Sequence, residues 1–122
     1  MHEIIRKNTN RRMSQIVIYN NVAYFCGQVA KKMVSDVKLQ TASTLEKIDE
    51  LLASINMCRK DILSATVYLK NIADFNHMNE VWEAWIPEGH APVRTCVEAK
   101  MSNDDILVEI TVTAAAGLQH RG

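Results

Sequence analysis

Two neighbouring stretches that alternate like half-buried strands constrain this chain most. The first, Ala91-Pro92-Val93-Arg94-Thr95-Cys96-Val97-Glu98, is rich in β-branched residues and carries its proline at the start, where a missing N–H costs little. Alternation sends Val93, Thr95, Val97 and Ala99 to one face and Arg94, Cys96 and Glu98 to the other. The second, Ile106-Leu107-Val108-Glu109-Ile110-Thr111-Val112-Thr113, follows a cluster of turn formers, Ser102-Asn103-Asp104-Asp105. Read as a hairpin, the pair takes the register that makes one face continuously apolar: Val97 opposite Val108, Thr95 opposite Ile110, Val93 opposite Val112. That register sets Cys96 opposite Glu109 and Arg94 opposite Thr111. Arg94 and Glu109 then become diagonal neighbours on one face, roughly 7–8 Å apart at Cβ. A guanidinium, a carboxylate and a thiol on one patch form a candidate site for a small molecule.

The rest of the composition narrows what such a site can serve. A chain of 122 residues makes one domain and buries about two-thirds of its unfolded surface. Fourteen basic residues balance fourteen acidic ones, and no basic run exceeds Arg11-Arg12 or Lys31-Lys32. A nucleic-acid backbone therefore finds little to hold, and no nucleic-acid partner is expected. No apolar run approaches the ~20 residues of a membrane span, and the opening Met-His-Glu-Ile-Ile-Arg places charge where a signal peptide needs its apolar core. Three cysteines, Cys26, Cys58 and Cys96, lack CxxC spacing and point to reduced thiols in a cytoplasmic setting. The four histidines are scattered without ligand spacing, so neither metal nor cofactor is expected.

In chain order, residues 2–6 suggest a short edge strand and 7–12 a polar loop. Residues 14–19 and 22–26 flank Asn20-Asn21 as a hairpin, because asparagine tolerates the positive φ of a tight turn. Gly27-Gln28 ends it; Gly27 marks either a plain bend or a close approach to the backbone. A long helix follows, capped by Ser35 or Asp36, with Val37, Thr41, Leu45, Ile48, Leu52 and Ile55 at helical spacing and Asn56 as its stop. Residues 61–70 read as a strand with Leu63, Ala65, Val67 and Leu69 on one side and Ser64, Thr66 and Tyr68 on the other. Asp74 caps a second helix whose Phe75, Met78, Val81, Trp82 and Trp85 form an apolar core stripe, closed by Pro87 and Gly89. The whole of residues 1–122 forms a single domain, with 116–122 as a flexible tail.

Right-handed crossovers lay both helices on one face of the sheet. The other face would carry Val17, Tyr24, Tyr68, Leu107 and Thr111 beside Arg94, Cys96 and Glu109. Such a face is too apolar for plain surface and too charged for a closed core. Burial against further copies of the chain, with the polar groups lining clefts between subunits, resolves the conflict.

Several segments resemble the RidA/YjgF family of reactive-intermediate deaminases: Phe25-Cys26-Gly27-Gln28-Val29, Gln40-Thr41-Ala42, Val67-Tyr68-Leu69-Lys70, Asp74-Phe75 with Asn79-Glu80-Val81, Ala91 to Val97, and Val108-Glu109-Ile110. The match spans about residues 12–115. The resemblance implies a chorismate-mutase-like α+β fold, a mixed sheet with two helices on one face, and a homotrimer with ligand sites between subunits. It also implies hydrolysis of 2-imino and 2-enamino acids to 2-oxo acids and ammonia. In that chemistry Arg94 grips the substrate carboxylate through two parallel hydrogen bonds, which lysine cannot copy. Glu109 orients or deprotonates the attacking water, or exchanges a proton with the departing nitrogen. Gly27, Cys26 and Cys96 wall the pocket, and Asn79 adds a hydrogen bond from a neighbouring chain. The chain departs from the family pattern at Met13, where many members carry tyrosine, at Cys26, where serine is common, and at Val29-Ala30, where Ile-Pro is common.

Other readings stay open beside this one. Arg94 with Glu109 would also suit a structural ion pair at a subunit interface. Cys96 has no histidine placed to activate it and reads as a packed thiol. Asn79 equally suits a solvated helix surface. His77 and His90 read as solvated, with His90 able to reach the pocket mouth. Besides an imine hydrolase, the same residues fit a trimer that senses a small carboxylate without turnover, or a holdase-like interaction protein with a vestigial pocket.

Overall fold

The computed structural model describes residues 3–117. Its strands are β1 (Ile5–Lys7), β2 (Ile16–Tyr19), β3 (Val22–Phe25), β4 (Ile62–Leu69), β5 (Val93–Glu98) and β6 (Val108–Ala115), with helices α1 (Val37–Ser54) and α2 (Phe75–Trp85). The strands form one mixed sheet in the order β1-β2-β3-β6-β4-β5, and both helices pack on one face of it, against each other. This is the α+β arrangement expected. The anticipated tail falls, from residue 118 onward, outside the described residues.

Local chemistry sets most element ends. Asn20 and Asn21 take φ of 51° and 65° in the two-residue turn that pairs Tyr19 with Val22, the geometry that matches strand twist. The Asp36 carboxylate accepts from the Leu39 N–H at 3.0 Å and caps α1, while Asn56, at φ 63°, lets the chain leave it. Before α2 the cap differs from expectation. Asn71 accepts from the Ala73 N–H at 2.9 Å and starts a short 3-10 turn, Ile72–Asp74. Asp74 then stands at the head of α2 without a side-chain capping bond.

The core lies between the sheet and the helices. Ile16, Ala23, Phe25, Ala65, Val67, Leu69, Val108, Ile110 and Val112 meet Leu45, Ile48, Leu52, Met78 and Trp82, all buried. Each fully buried aliphatic side chain contributes about 1.5–3 kcal/mol relative to exposure. A bulge between Ile62 and Ser64 shifts the alternation at the start of β4. Ile62, not Leu63, joins the core, and Leu63 remains 46% exposed.

The strand pairing overturns the hairpin expected of the last two strands. β4 lies between them: β5 runs parallel to β4 with Cys96 beside Val67, and β6 runs antiparallel to β4 with Ile110 beside Val67. The connection from β5 to β6 crosses the end of β4, where the Ala99 N–H donates to Leu69 O and the Lys70 N–H to Leu107 O. The buried Gln40 side chain of α1 fastens this crossing. Its Nε2 donates to Asp105 O and Val34 O, both at 2.8 Å, and its Oε1 accepts from the Leu107 N–H at 2.9 Å.

Candidate functional site

Inserting β4 turns β5 over. Paired residues of adjacent strands point to the same side of a sheet. Arg94 and Cys96, beside the buried Ala65 and Val67, therefore face the helices, whereas Val93 and Val97, 73% and 41% exposed, face away. Glu109 is paired with Tyr68 on the helix-free side. The expected patch uniting Arg94, Cys96 and Glu109 on one face is thus corrected: within one chain, Arg94 and Glu109 occupy opposite faces. Among the described residues neither has an ion-pair partner within the chain.

Arg94 belongs to β5, the edge strand, and reaches beneath α2. Its guanidinium carbon lies 5.4 Å from the centre of the Trp82 ring and 5.8 Å from that of Phe75. One terminal N–H approaches Met78 Sδ at 3.8 Å, a weak acceptor. An open groove of about 470 Å³ runs alongside, lined by Arg94, Asn79, Trp82, Ile86 and Pro92, with Glu83 and Glu88 also on its wall. Asn79 thus shares a groove with the Arg94 of its own chain. Because α2 turns about 100° per residue, positions i, i+3, i+4 and i+7 fall on one face; here these are Phe75, Met78, Asn79 and Trp82. Met78, Trp82 and Trp85 of the expected core stripe are buried, whereas Phe75, expected with them, is 38% exposed. Only the turned-over β5 reveals that the stripe also lines the guanidinium.

The Glu109 half is built differently. Gly27 leaves β3 directly against Glu109: a Cβ at residue 27 would collide with the carboxylate and lie 3.2 Å from Thr111 Oγ1. The close-approach reading of this glycine holds, and the approaching group is Glu109 itself. Gln28 fixes the segment. Its backbone N–H donates to Ile110 O at 2.9 Å and its C=O accepts from the Ile110 N–H at 3.0 Å. Its buried amide donates to Cys26 O at 3.1 Å and to Cys26 Sγ at 3.2 Å. Cys26, Gly27 and Glu109 are thereby brought together, with Tyr68 beside them on β4.

Cys96 is half-buried and packs against the core. Burial pushes its thiol above the ordinary value, with the charge of Arg94 pulling the other way, which suits packing better than nucleophilic attack. All three cysteines are free thiols, and Cys58 is exposed. His77 and His90 are exposed; His90 turns its Nδ1 to Glu88 O at 3.0 Å and is not part of the groove wall. Met13, in place of the expected aromatic, is 52% exposed. Among the described residues no cluster of His, Cys, Asp or Glu could hold a metal ion, and no helix is long and apolar enough to cross a membrane.

Comparison with known proteins adds a second line of observation. The sequence model of a family described as endoribonuclease L-PSP matches residues 5–116. A RutC family protein of Haemophilus ducreyi is 42% identical over 116 residues, covering 95% of this chain and 99% of that one. The RutC family protein YoaB of Escherichia coli is 41% identical over 112 residues, covering 92% of this chain and 97% of its own. Among solved structures, a member of the YjgF protein family from Neisseria meningitidis superposes with a TM-score of 0.90 at 34% identity, covering 94% of this chain and 96% of that one.

Proposed function

Because the chain belongs to the RidA/YjgF family, we propose that it hydrolyses reactive 2-imino and 2-enamino acids to 2-oxo acids and ammonia. Arg94 would hold the substrate carboxylate by two parallel hydrogen bonds. A 2-enamino acid first tautomerises to the imine, a proton moving from nitrogen to the β-carbon. Water then adds to the imine carbon while Glu109 accepts its proton, and the π pair moves to nitrogen, which takes up a proton. The C–N bond of the resulting carbinolamine breaks, ammonia leaves with a proton relayed through Glu109, and the carbonyl of the 2-oxo acid forms.

One observation carries this reading: an arginine beside an open groove and a carboxylate over Gly27, on opposite faces of one sheet, neither with an ion partner among the described residues. Two incomplete halves become one site if the Arg94 groove of one copy meets the Glu109 patch of a neighbouring copy in a homotrimer. The helix-free face, with Tyr24, Val93 and Val97 exposed, supports such packing.

Hydrolysis is tested with 2-imino acids generated in the assay from a panel of amino acids. Composition of the site is tested by mixing chains. Arg94→Ala and Glu109→Gln should each, alone, fall to on the order of a hundredth of wild-type activity or below. Trimers re-formed from an equal mixture should regain activity at about a quarter of the sites, those where each half comes from the intact chain. No regain would place both halves within one chain and overturn the shared site. A second reading, binding of a small carboxylate without turnover, is favoured by the groove itself, where Arg94 and Asn79 meet without Glu109. Saturable binding of a 2-oxo acid with no imine hydrolysis would select it. RNA included as a further substrate tests the endoribonuclease activity in the family's description.

A further inference from the structure

We propose that Phe75 and Trp82 are positioning residues that hold the Arg94 guanidinium for a ligand carboxylate without neutralising it, an inference that rests on Arg94 being the carboxylate clamp. An arginine on an edge strand has many rotamers, and fixing it normally takes a carboxylate, which would compete with the ligand. Here two rings do the fixing. Both centroids lie within the ~6 Å at which a cation is attracted to a ring: 5.4 Å for Trp82 and 5.8 Å for Phe75. A guanidinium carries its five N–H donors in its own plane and is weakly hydrated on its faces, so aromatic contact leaves donors free for a bidentate partner. Among the described residues the only acceptor that the Arg94 N–H groups reach is Met78 Sδ, at 3.8 Å, which gives way readily to a carboxylate oxygen.

The two rings have different duties. Trp82 is 6% exposed and belongs to the core, whereas Phe75 is 38% exposed at the start of α2. Phe75 therefore adds little to the core and can be changed without unfolding the chain.

The test compares Phe75→Leu, which keeps an apolar side chain but removes the ring, with Phe75→Tyr, which restores it. The probes are pyruvate binding by calorimetry, KM and kcat for imine hydrolysis, and the NMR shift of the Arg94 Nε–H proton, which ring currents displace. For Phe75→Leu, pyruvate binding should weaken and KM rise by about threefold to tenfold, with kcat and thermal stability near wild type. The Nε–H signal should move toward its random-coil position, and Phe75→Tyr should return all of these. Unchanged KM and pyruvate binding in Phe75→Leu would overturn the proposal while leaving imine hydrolysis standing. So would a loss that follows melting temperature and is not rescued by tyrosine. Ring-dependent pyruvate binding in a wild type that hydrolyses no imine would keep the proposal and sink the hydrolase reading.

Discussion

A methyl group at residue 27 would collide with the Glu109 carboxylate and come within 3.1 Å of its Cδ. The obstructing atoms end a flexible side chain, so Gly27→Ala should displace Glu109 rather than unfold the protein. The expected stability loss is under about 1 kcal/mol, with turnover down by about tenfold or more. Melting and kinetics check this together, and an equal loss of both would point to general damage. At Arg94, lysine keeps the charge but loses the two-pronged geometry and should weaken binding and alignment. Alanine should be worse, losing a charge-assisted contact of about 1.5–3 kcal/mol. Glu109→Gln should keep pyruvate binding and lower turnover by on the order of a hundredfold. Each variant must first be shown to assemble as the wild type does. Cys96, with its thiol pushed up by burial, holds less thiolate near pH ~8 than an ordinary cysteine. Alkylation followed by mass spectrometry should find it modified after the exposed Cys58, and earliest modification of Cys96 would reopen the nucleophile reading.

Between elements, the most consequential contact is the grip of Gln40 on the β5–β6 crossing. It satisfies the carbonyls of Val34 and Asp105 and the N–H of Leu107 with one buried amide. Gln40→Leu fills similar volume but strands these groups, so a loss of about 1–3 kcal/mol is expected in urea unfolding. The loosened crossing would also free the end of β4 beside Lys70. The Asp36 cap is a simpler device: Asp36→Ala removes one bond to the Leu39 N–H and should cost about 1 kcal/mol. A neutral result in both variants would show that neighbouring contacts, not these side chains, hold the two junctions.

At the scale of the whole molecule, a sheet with helices on one face leaves the other face to be covered. Val93 and Val97 on β5 and Tyr24 on β3 are among its exposed apolar members. Burial of that face in a trimer predicts that Val97→Asp yields monomers by light scattering at micromolar concentration and abolishes hydrolysis. Leu39→Asp, on an exposed position of α1 (58% exposed), should leave assembly intact. A wild-type monomer under the same conditions would overturn both the trimer and the shared site.

What the sequence determined by itself was local. Helical spacing, the Asp36 cap, the Asn20-Asn21 turn and strand alternation depend on residues close in the chain, and each element stands close to where its pattern put it. Strand alternation by itself drew out Arg94 and Glu109 as candidates, and the family resemblance carried the fold, their roles, and the addition of Gly27 and Asn79 to the pocket. Alternation also divided β5 correctly into two sets, Val93-Thr95-Val97 and Arg94-Cys96-Glu98, but could not say which set meets the helices. That choice belongs to the neighbouring strand, because a one-residue change of register exchanges the faces. Proximity in sequence favoured β6 as the neighbour. Tertiary structure supplied β4 instead, since a parallel β4-α2-β5 unit buries the α2 stripe against the sheet. With it came the turn of Arg94 toward Phe75 and Trp82 and its separation from Glu109.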